Sequence, residues 1–360
     1  MYEDNTQLAR NRPGDILPAT PEATLATILS GGIDDQLASR AWQLIADARR
    51  ILILAHEHPD PDALGSALGL AHALAPLGKD CVVACTDPVP APYLAFLPGG
   101  ADAVTDVPEG GADLVIALDA GEFSRYGPLY FKHREFFDQA TTLNIDHHVT
   151  STGCGQVNII DPRCAATAEV LTVFLLNRGI EIGLDAARCL MAGIITDTRS
   201  FEYDATTSQT LMAGAYLVAR GAIPERVIKP VYQMKPYEKA SLWGIVLDRT
   251  LRRSADGRLV WAALRQAYLS EAQATPDMDD GLPSYLLDIE GAGIGALFKE
   301  QLDGRTRVSL RAADPHDAAA IAAHFGGGGH VRAAGFAVDL PIDAAIEQVI
   351  PFIEGRLNGR

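Results

Sequence analysis

The sequence predicts an α/β protein: a mainly parallel sheet flanked by helices, then a smaller α/β domain joined by a helical linker. Short unbroken apolar runs alternate with helix-length stretches through the first half of the chain, as in strands buried on both faces of a parallel sheet. At 360 residues the chain exceeds the usual size of one domain. The same alternation resumes after residue 253, behind a mixed polar and apolar stretch.

Residues 1–30 contain three prolines and little periodicity, and read as an N-terminal extension. From Asp34, DDQLASRAWQLIADARR puts Leu37, Ala41, Leu44 and Ile45 on one helical face. ILILA (51–55) is the first strand, and ALGSALGLAHALAPLG is the helix after it. CVVAC is a second strand, DLVIALD (113–119) a third and TLNID (142–146) a fourth. Helical runs follow over 166–178 and 186–195, and the apolar run before Thr196-Asp197-Thr198 reads as either helix or strand. These elements span a first domain, 31–223. Residues 224–253 read as a linker helix, and 254–360 as the second domain, with strand-like runs at 259–264, 293–297 and 305–311.

Lysine and arginine total 30 against 46 aspartates and glutamates, a formal charge of −16. Such a balance disfavours a broad grip on long nucleic acid but leaves room for a short anionic substrate held locally. The five cysteines form no CxxC pair and fit a reducing cytoplasm. No signal-peptide pattern and no apolar run of membrane-spanning length is present, so a cytoplasmic location with no membrane partner is expected.

In parallel sheets, ligands gather beyond the carboxyl ends of the strands. HEHPDPD directly follows ILILA, Asp119 ends DLVIALD, and Asp146, His147 and His148 end TLNID. Each cluster alone also reads as a solvated turn; converging, they would form one site. With Asp197 they offer mixed imidazole and carboxylate donors for Mn²⁺, Mg²⁺, Fe²⁺ or Zn²⁺, and the lack of cysteine argues against structural zinc. So many carboxylates repel unless divalent cations neutralise them. Two ions about 4 Å apart, bridged by one carboxylate, would suit the set and are a recurring phosphoester-hydrolysing centre.

These residues resemble the DHH phosphoesterase superfamily in its DHH–DHHA1 branch, over residues 51–335. Asp146-His147-His148 is the motif that gives the family its name, and HEHPDPD fits HxxPDxD. Asp119 in ALDAGEFSR, Asp197 in GIITDTRSF and FGGGGHVRAAG fit the remaining motifs. The resemblance implies that His56 and Asp60 hold one ion, and that Asp62, His147 and Asp197 hold the other. Asp119 would bridge the two, Asp146 would orient a histidine, and His148 would face the substrate phosphate; Asp119, Asp146 and His148 form the implied catalytic set. The implied cofactors are two divalent ions, Mn²⁺ ahead of Mg²⁺. His58 departs from the family pattern and is expected to face solvent. Pro61 replaces a glycine without removing a ligand. Arg199 also stands where a glycine is common and is a candidate phosphate contact.

FGGGGH is followed by no GK[ST] and lacks the dinucleotide spacing, so it reads as a loop whose bare backbone N–H groups can approach an anion. In RTRVSLR, Arg305, Arg307, Ser309 and Arg311 share one strand face. That face alone also reads as solvated edge decoration. The resemblance implies substrate contacts from Ser309, Arg311, Gly327, Gly328, Gly329, His330 and Arg332. Ala312 stands where the family often has serine.

The implied function is that of an NrnA-type phosphodiesterase cutting short oligoribonucleotides (nanoRNA) to nucleoside 5′-monophosphates, and also acting on adenosine 3′,5′-bisphosphate (pAp) or on pApA and cyclic di-AMP. A RecJ-like single-stranded DNA exonuclease and a non-catalytic nucleotide sensor are the alternatives. The first usually has an added module that this chain has no obvious room for, and the second would predict a missing ligand. Expected partners are short RNA or small nucleotides, without a stable long-DNA complex; a homodimer is compatible.

Overall fold

The computed structural model describes residues 20–358. Most of the expected extension lies outside them. Its last ten residues are not irregular but form α1 (Pro21–Ser30): the Thr20 side chain accepts the Ala23 N–H, and Pro21 occupies a first-turn position where a helix tolerates proline.

The chain divides into two compact units, ending and beginning at Gln233 and Met234. In the first, β1 (Arg50–Leu54), β2 (Asp80–Ala84), β3 (Leu114–Leu118), β4 (Thr142–Asp146) and β5 (Val157–Ile160) form a parallel sheet ordered β2-β1-β3-β4-β5. β5 was not legible as a strand in the sequence. The accompanying helices are α2 (Asp35–Asp47), α3 (Pro61–Leu74), α4 (Gly127–Lys132), α5 (Arg134–Gln139), α6 (Thr167–Asn177), α7 (Leu184–Asp197), α8 (Ser208–Ala219) and α9 (Glu225–Ile228). Ile51, Ile53, Ile116 and Ile145 pack into one core with α2, α3, α6 and α7. Leu52, Leu54, Val115 and Ala117 pack on the opposite face with Leu129 of α4 and Phe137 of α5. Burial on both faces explains why these strands read as unbroken apolar runs.

The run before Asp197 is helical, so three donor clusters follow strands and the fourth ends a helix. α3 and α7 approach closely through glycine. A Cβ on Gly65 would collide with the Cys189 carbonyl oxygen, and one on Gly69 would lie 2.8 Å from Leu190 Cγ. β1 has β2 on one side and β3 on the other, so the strand order reverses at β1 and opens a crevice at the carboxyl ends.

The stretch expected as one linker helix is broken. α9 and a π-helical turn, Lys229–Gln233, belong to the first unit, and α10 (Tyr237–Thr250) belongs to the second. Pro230 and Pro236 lack the N–H that would carry a continuous helix through.

The second unit contains β6 (Arg252–Arg253), β7 (Leu259–Leu264), β8 (Ile294–Glu300), β9 (Thr306–Ala312), β10 (Gly328–Gly329) and β11 (Ala333–Val338), ordered β10-β11-β9-β8-β7-β6. β7 and β8 are parallel and the other neighbours antiparallel. Its helices after α10 are α11 (Gln266–Ala272), α12 (Leu282–Leu287), α13 (Ala318–His324) and α14 (Ile342–Leu357). α13 and α14 pack with Phe298, Val308 and Leu310; α10, α11 and α12 pack with Val260, Ala262 and Leu297 on the other face. Thr306, Val308 and Leu310 of β9 are buried, while Arg307 is exposed and Ser309 and Arg311 are partly so. Among the described residues, no helix is long and apolar enough to cross a membrane.

Candidate metal centre

His56 follows β1. Its Nδ1–H donates to the Glu57 carbonyl at 2.8 Å, which fixes a proton there and leaves Nε2 as the ring atom that could meet a cation. Nε2 lies 3.4 Å from Asp119 Oδ2 and 3.8 Å from Asp60 Oδ2. Asp60 is the N-cap of α3: its Oδ1 accepts the Asp62 and Ala63 N–H groups, both at 2.9 Å, while Oδ2 faces His56. Pro61 fits here for the same reason, at the first helical position.

Asp62, in the first turn of α3, is fully buried. Its Oδ2 accepts the Thr167 N–H at 2.7 Å and its Oδ1 the Ala168 N–H at 3.0 Å, so the N-terminus of α6 holds the carboxylate by both oxygens. Oδ1 also accepts the Ser66 hydroxyl at 3.3 Å, so it is Oδ2, with one donor, that keeps a lone pair for a cation. Gly193 of α7 makes room for it: a Cβ there would collide with Asp62 Oδ1 and lie 2.7 Å from Ala168 Cβ.

Asp119 follows β3 in a left-handed conformation, φ +59°. The Thr167 hydroxyl donates to its Oδ1 at 2.8 Å. Buried Asn144, on the neighbouring β4, donates through Nδ2 to the Ala117 and Ala120 carbonyls, each at 2.9 Å, and so braces the turn that carries Asp119. Asp146 ends β4, and its Oδ1 accepts the His147 N–H at 2.7 Å, the His148 N–H at 3.1 Å and His148 Nδ1–H at 2.8 Å. His147 Nε2 lies 3.2 Å from Asp197 Oδ2 and 3.6 Å from Asp119 Oδ1.

Three groups of donors result: His56, Asp60 and Asp119; Asp62, His147 and Asp197; and Asp119, His147 and His148, the ligand atoms within each group lying within 4.8 Å of one another. Asp119 and His147 each belong to two. Asp146 stands outside all three, turned to His148.

These residues fit divalent metal. His147 Nε2 is buried and makes no hydrogen bond, although Asp197 lies beside it. Burial alone would lower His56 and His147, yet surrounding carboxylates raise both to about 10: Asp119 and Asp60 for His56, Asp197 and Asp62 for His147. Burial, followed by the charges of Asp119 and Asp197, holds the Asp62 carboxyl well above its usual range. Asp197 is raised by burial and by Asp119, against the opposing pull of His147. Anionic charge thus exceeds what imidazolium can balance, which is where a divalent cation is stabilised. Asp146 differs: burial opposes it, but the bonds from His148 hold it below the usual range, and Asp146 in turn raises His148.

Thr167, Ala168, Asn144 and Gly193 were not singled out in the sequence. Thr167 reads there as an ordinary helix-start residue, and Asn144 is hidden in an apolar strand. His58 is exposed and lies against Asp87, Nδ1 to Oδ2 3.1 Å. Arg199 Nε lies 3.2 Å from Glu202 Oε2.

In the second unit, Gly335 of β11 is paired with Ser309 on one side and with Gly328 on the other. Gly327 has no space for a side chain, with the Gly335 carbonyl and Phe336 in the way; Gly328 faces open space; Gly329 takes φ +142°. His330 is exposed, its N–H donating to the Ala333 carbonyl at 2.8 Å. Arg311 Nη1 donates to the Leu310 carbonyl at 3.0 Å, and Arg332 Nη2 to Asp314 Oδ1 at 2.8 Å.

Residues 50–194 match the model of the DHH family N-terminal domain, and residues 260–358 that of the DHHA1 domain. The bifunctional oligoribonuclease and PAP phosphatase NrnA of Thermus thermophilus is 33% identical over 314 residues, 86% of this chain and 90% of that protein. The chain belongs to the DHH family. This DHH–DHHA1 protein is accordingly a hydrolase of phosphoester bonds. A probable bifunctional oligoribonuclease and PAP phosphatase NrnA from Streptococcus mutans is 30% identical, over 79% of this chain and 88% of that one. The cyclic-di-AMP phosphodiesterase GdpP of Geobacillus thermodenitrificans is 26% identical over 88% of this chain and 49% of that longer protein. An exopolyphosphatase-related protein from Bacteroides fragilis shares the fold, with a TM-score of 0.79 at 21% identity over 91% of this chain and 99% of that one.

Proposed function

We propose that this DHH phosphoesterase hydrolyses short oligoribonucleotides to nucleoside 5′-monophosphates, and also takes pAp, pApA or cyclic di-AMP. The reading rests on two divalent ions, Mn²⁺ ahead of Mg²⁺. In it, His56 and Asp60 hold one ion, Asp62, His147 and Asp197 the other, and Asp119 both. Bound divalent ions supply the positive charge that a phosphoester and its attacking water need at neutral pH. Asp146 fixes the His148 ring through Nδ1, which leaves Nε2 to meet a substrate oxygen. Ser309, Arg311, His330 and the bare backbone of Gly327, Gly328 and Gly329 take substrate phosphates and bases. Arg332 joins them only by leaving Asp314.

The observation that supports this best is the sharing of donors. Two metal-capable groups, each with imidazole and carboxylate, are linked through Asp119 and His147 at the carboxyl ends of β1, β3 and β4. The activities for which the Thermus and Streptococcus relatives are named suggest the substrate class.

The test is hydrolysis by purified protein with Mn²⁺ of an RNA dinucleotide, a long single-stranded DNA and pAp, beside Asp119→Ala. Release of mononucleotides from the dinucleotide, lost in the variant, is the expected result. Preference for the long DNA would replace this reading with a RecJ-like one. Absence of turnover with metal still bound would make the protein a nucleotide sensor.

A further inference from the structure

Beside Arg311, β9 and the residue that leads into it carry two further arginines. Arg305 and Arg307 precede Ser309 and Arg311 with the same alternation, and both are exposed. With Gln301, Gly328, Gly335, Phe336 and Ala337 they line an open hollow of about 460 Å³. Register explains the hollow. Ala337 opposes Arg307, Gly335 opposes Ser309, and Gly328 opposes Gly335, so on the face these residues share nothing larger than a methyl group rises from β10 and β11, while Phe336 between them is buried opposite Val308. A Cβ on Gly328 would meet nothing within 4 Å.

The two arginines are not equivalent. Arg305 is tied to Asp303, Nε to Oδ2 at 2.8 Å. The Arg307 guanidinium makes no hydrogen bond or ion pair among the described residues. In a chain of net charge −16, an arginine held out beside an open floor is placed for an anion and not for a partner within its own unit. Same-face residues of a strand recur every ~6.7 Å, on the order of the phosphate repeat of an extended single strand. Arg307, Ser309 and Arg311 therefore present one polar group per phosphate along β9.

We infer that Arg307 forms a further phosphate subsite, taking the nucleotide that continues a substrate past Ser309 and Arg311, so that this chain prefers three- or four-nucleotide RNA to dinucleotides. The inference rests on the oligonucleotide reading above. Guanidinium suits the role because it donates in a planar fork that matches a phosphate, and because it remains charged at any working pH.

The experiment compares wild-type protein with Arg307→Ala, Arg307→Lys and Arg307→Glu on di-, tri- and tetraribonucleotides in Mn²⁺. The readout is the ratio of kcat/KM on the tetranucleotide to that on the dinucleotide. The expected ratio falls about tenfold in Arg307→Ala, the scale of one charge-assisted contact, less in Arg307→Lys and more in Arg307→Glu. The slope of log KM against log salt for the tetranucleotide becomes shallower by about 0.7 in Arg307→Ala, one phosphate contact on a single strand. Ratios equal to wild type in all three variants overturn the subsite and leave the oligonucleotide reading intact. Wild-type protein that cleaves none of the three RNAs overturns both.

Discussion

At the carboxyl edge of the first sheet the ionisable groups are buried and held by backbone; on β9 of the second unit they are exposed and few are held. Asp62 has both oxygens fixed by N–H groups of α6, and Asp146 takes three hydrogen bonds on one oxygen. Arg307, on an interior strand between β11 and β8, and His330, just after β10, are both exposed. The contrast follows from what each region would hold. A small cation tolerates displacements of a few tenths of an ångström, so its donors must be set before it arrives. A flexible polyanion brings its own adaptability and asks mainly for charge at the right spacing.

The substitution that tests this contrast most severely is Asp119→Ala. It is expected to lower kcat by roughly three orders of magnitude, the scale of losing a group that stabilises transition-state charge. Calorimetric titration should show Mn²⁺ binding lost at one or both positions. Retained activity would mean that the buried half is not the chemical half.

Next in size is the effect of the ion itself. Mn²⁺ at a hundred times its dissociation constant should stabilise the protein by about 2.7 kcal/mol, read as a rise in Tm that EDTA reverses. An unchanged Tm would leave the anionic cluster without its expected counterion.

Thr167→Val sharpens the comparison, because it removes the hydroxyl bond to Asp119 and keeps the backbone N–H bond to Asp62. Mn²⁺ affinity is expected to fall about 10- to 100-fold with the fold retained, as when a metal ligand loses an outer partner. A loss no larger than that of an exposed control threonine would show that Asp119 is held adequately by its turn. The smallest effect belongs to the exposed half. Arg311→Ala should raise KM for a dinucleotide about tenfold with kcat little altered, separating grip from chemistry in steady-state kinetics.

Legibility in the sequence followed how local each feature's cause was. β1, β3 and β4 could be read because burial on both faces leaves a continuous apolar signature, and the donors could be read because they stand where those strands stop. β5 escaped because four residues, with Asn158 among them, carry too little pattern. The connecting stretch reads as one helix, and the structure breaks it where Pro230 and Pro236 punctuate it. Within the site, Gly193 and Thr167 matter only because α6 and α7 pack onto the start of α3, and no short window of sequence contains that packing. Asp60 was legible as a donor, but its second task as a helix cap was not, since both readings favour the same residue.

Asp119 has a further consequence, which concerns how this protein could be lost or repurposed over generations. Its φ of +59° lies where glycine, asparagine and aspartate settle most readily. Of these three, only aspartate carries charge. Backbone and chemistry therefore agree on one residue, while the backbone alone would accept two others that abolish the negative charge and relieve repulsion in a crowded anionic site. On the proposed reading, descendants with asparagine or glycine there would keep the turn and the arginines of β9 while losing the charge assigned to both ions, with a fall in kcat expected on the scale of Asp119→Ala. On that reading, a single substitution at this position would turn a hydrolase into a silent nucleotide receptor.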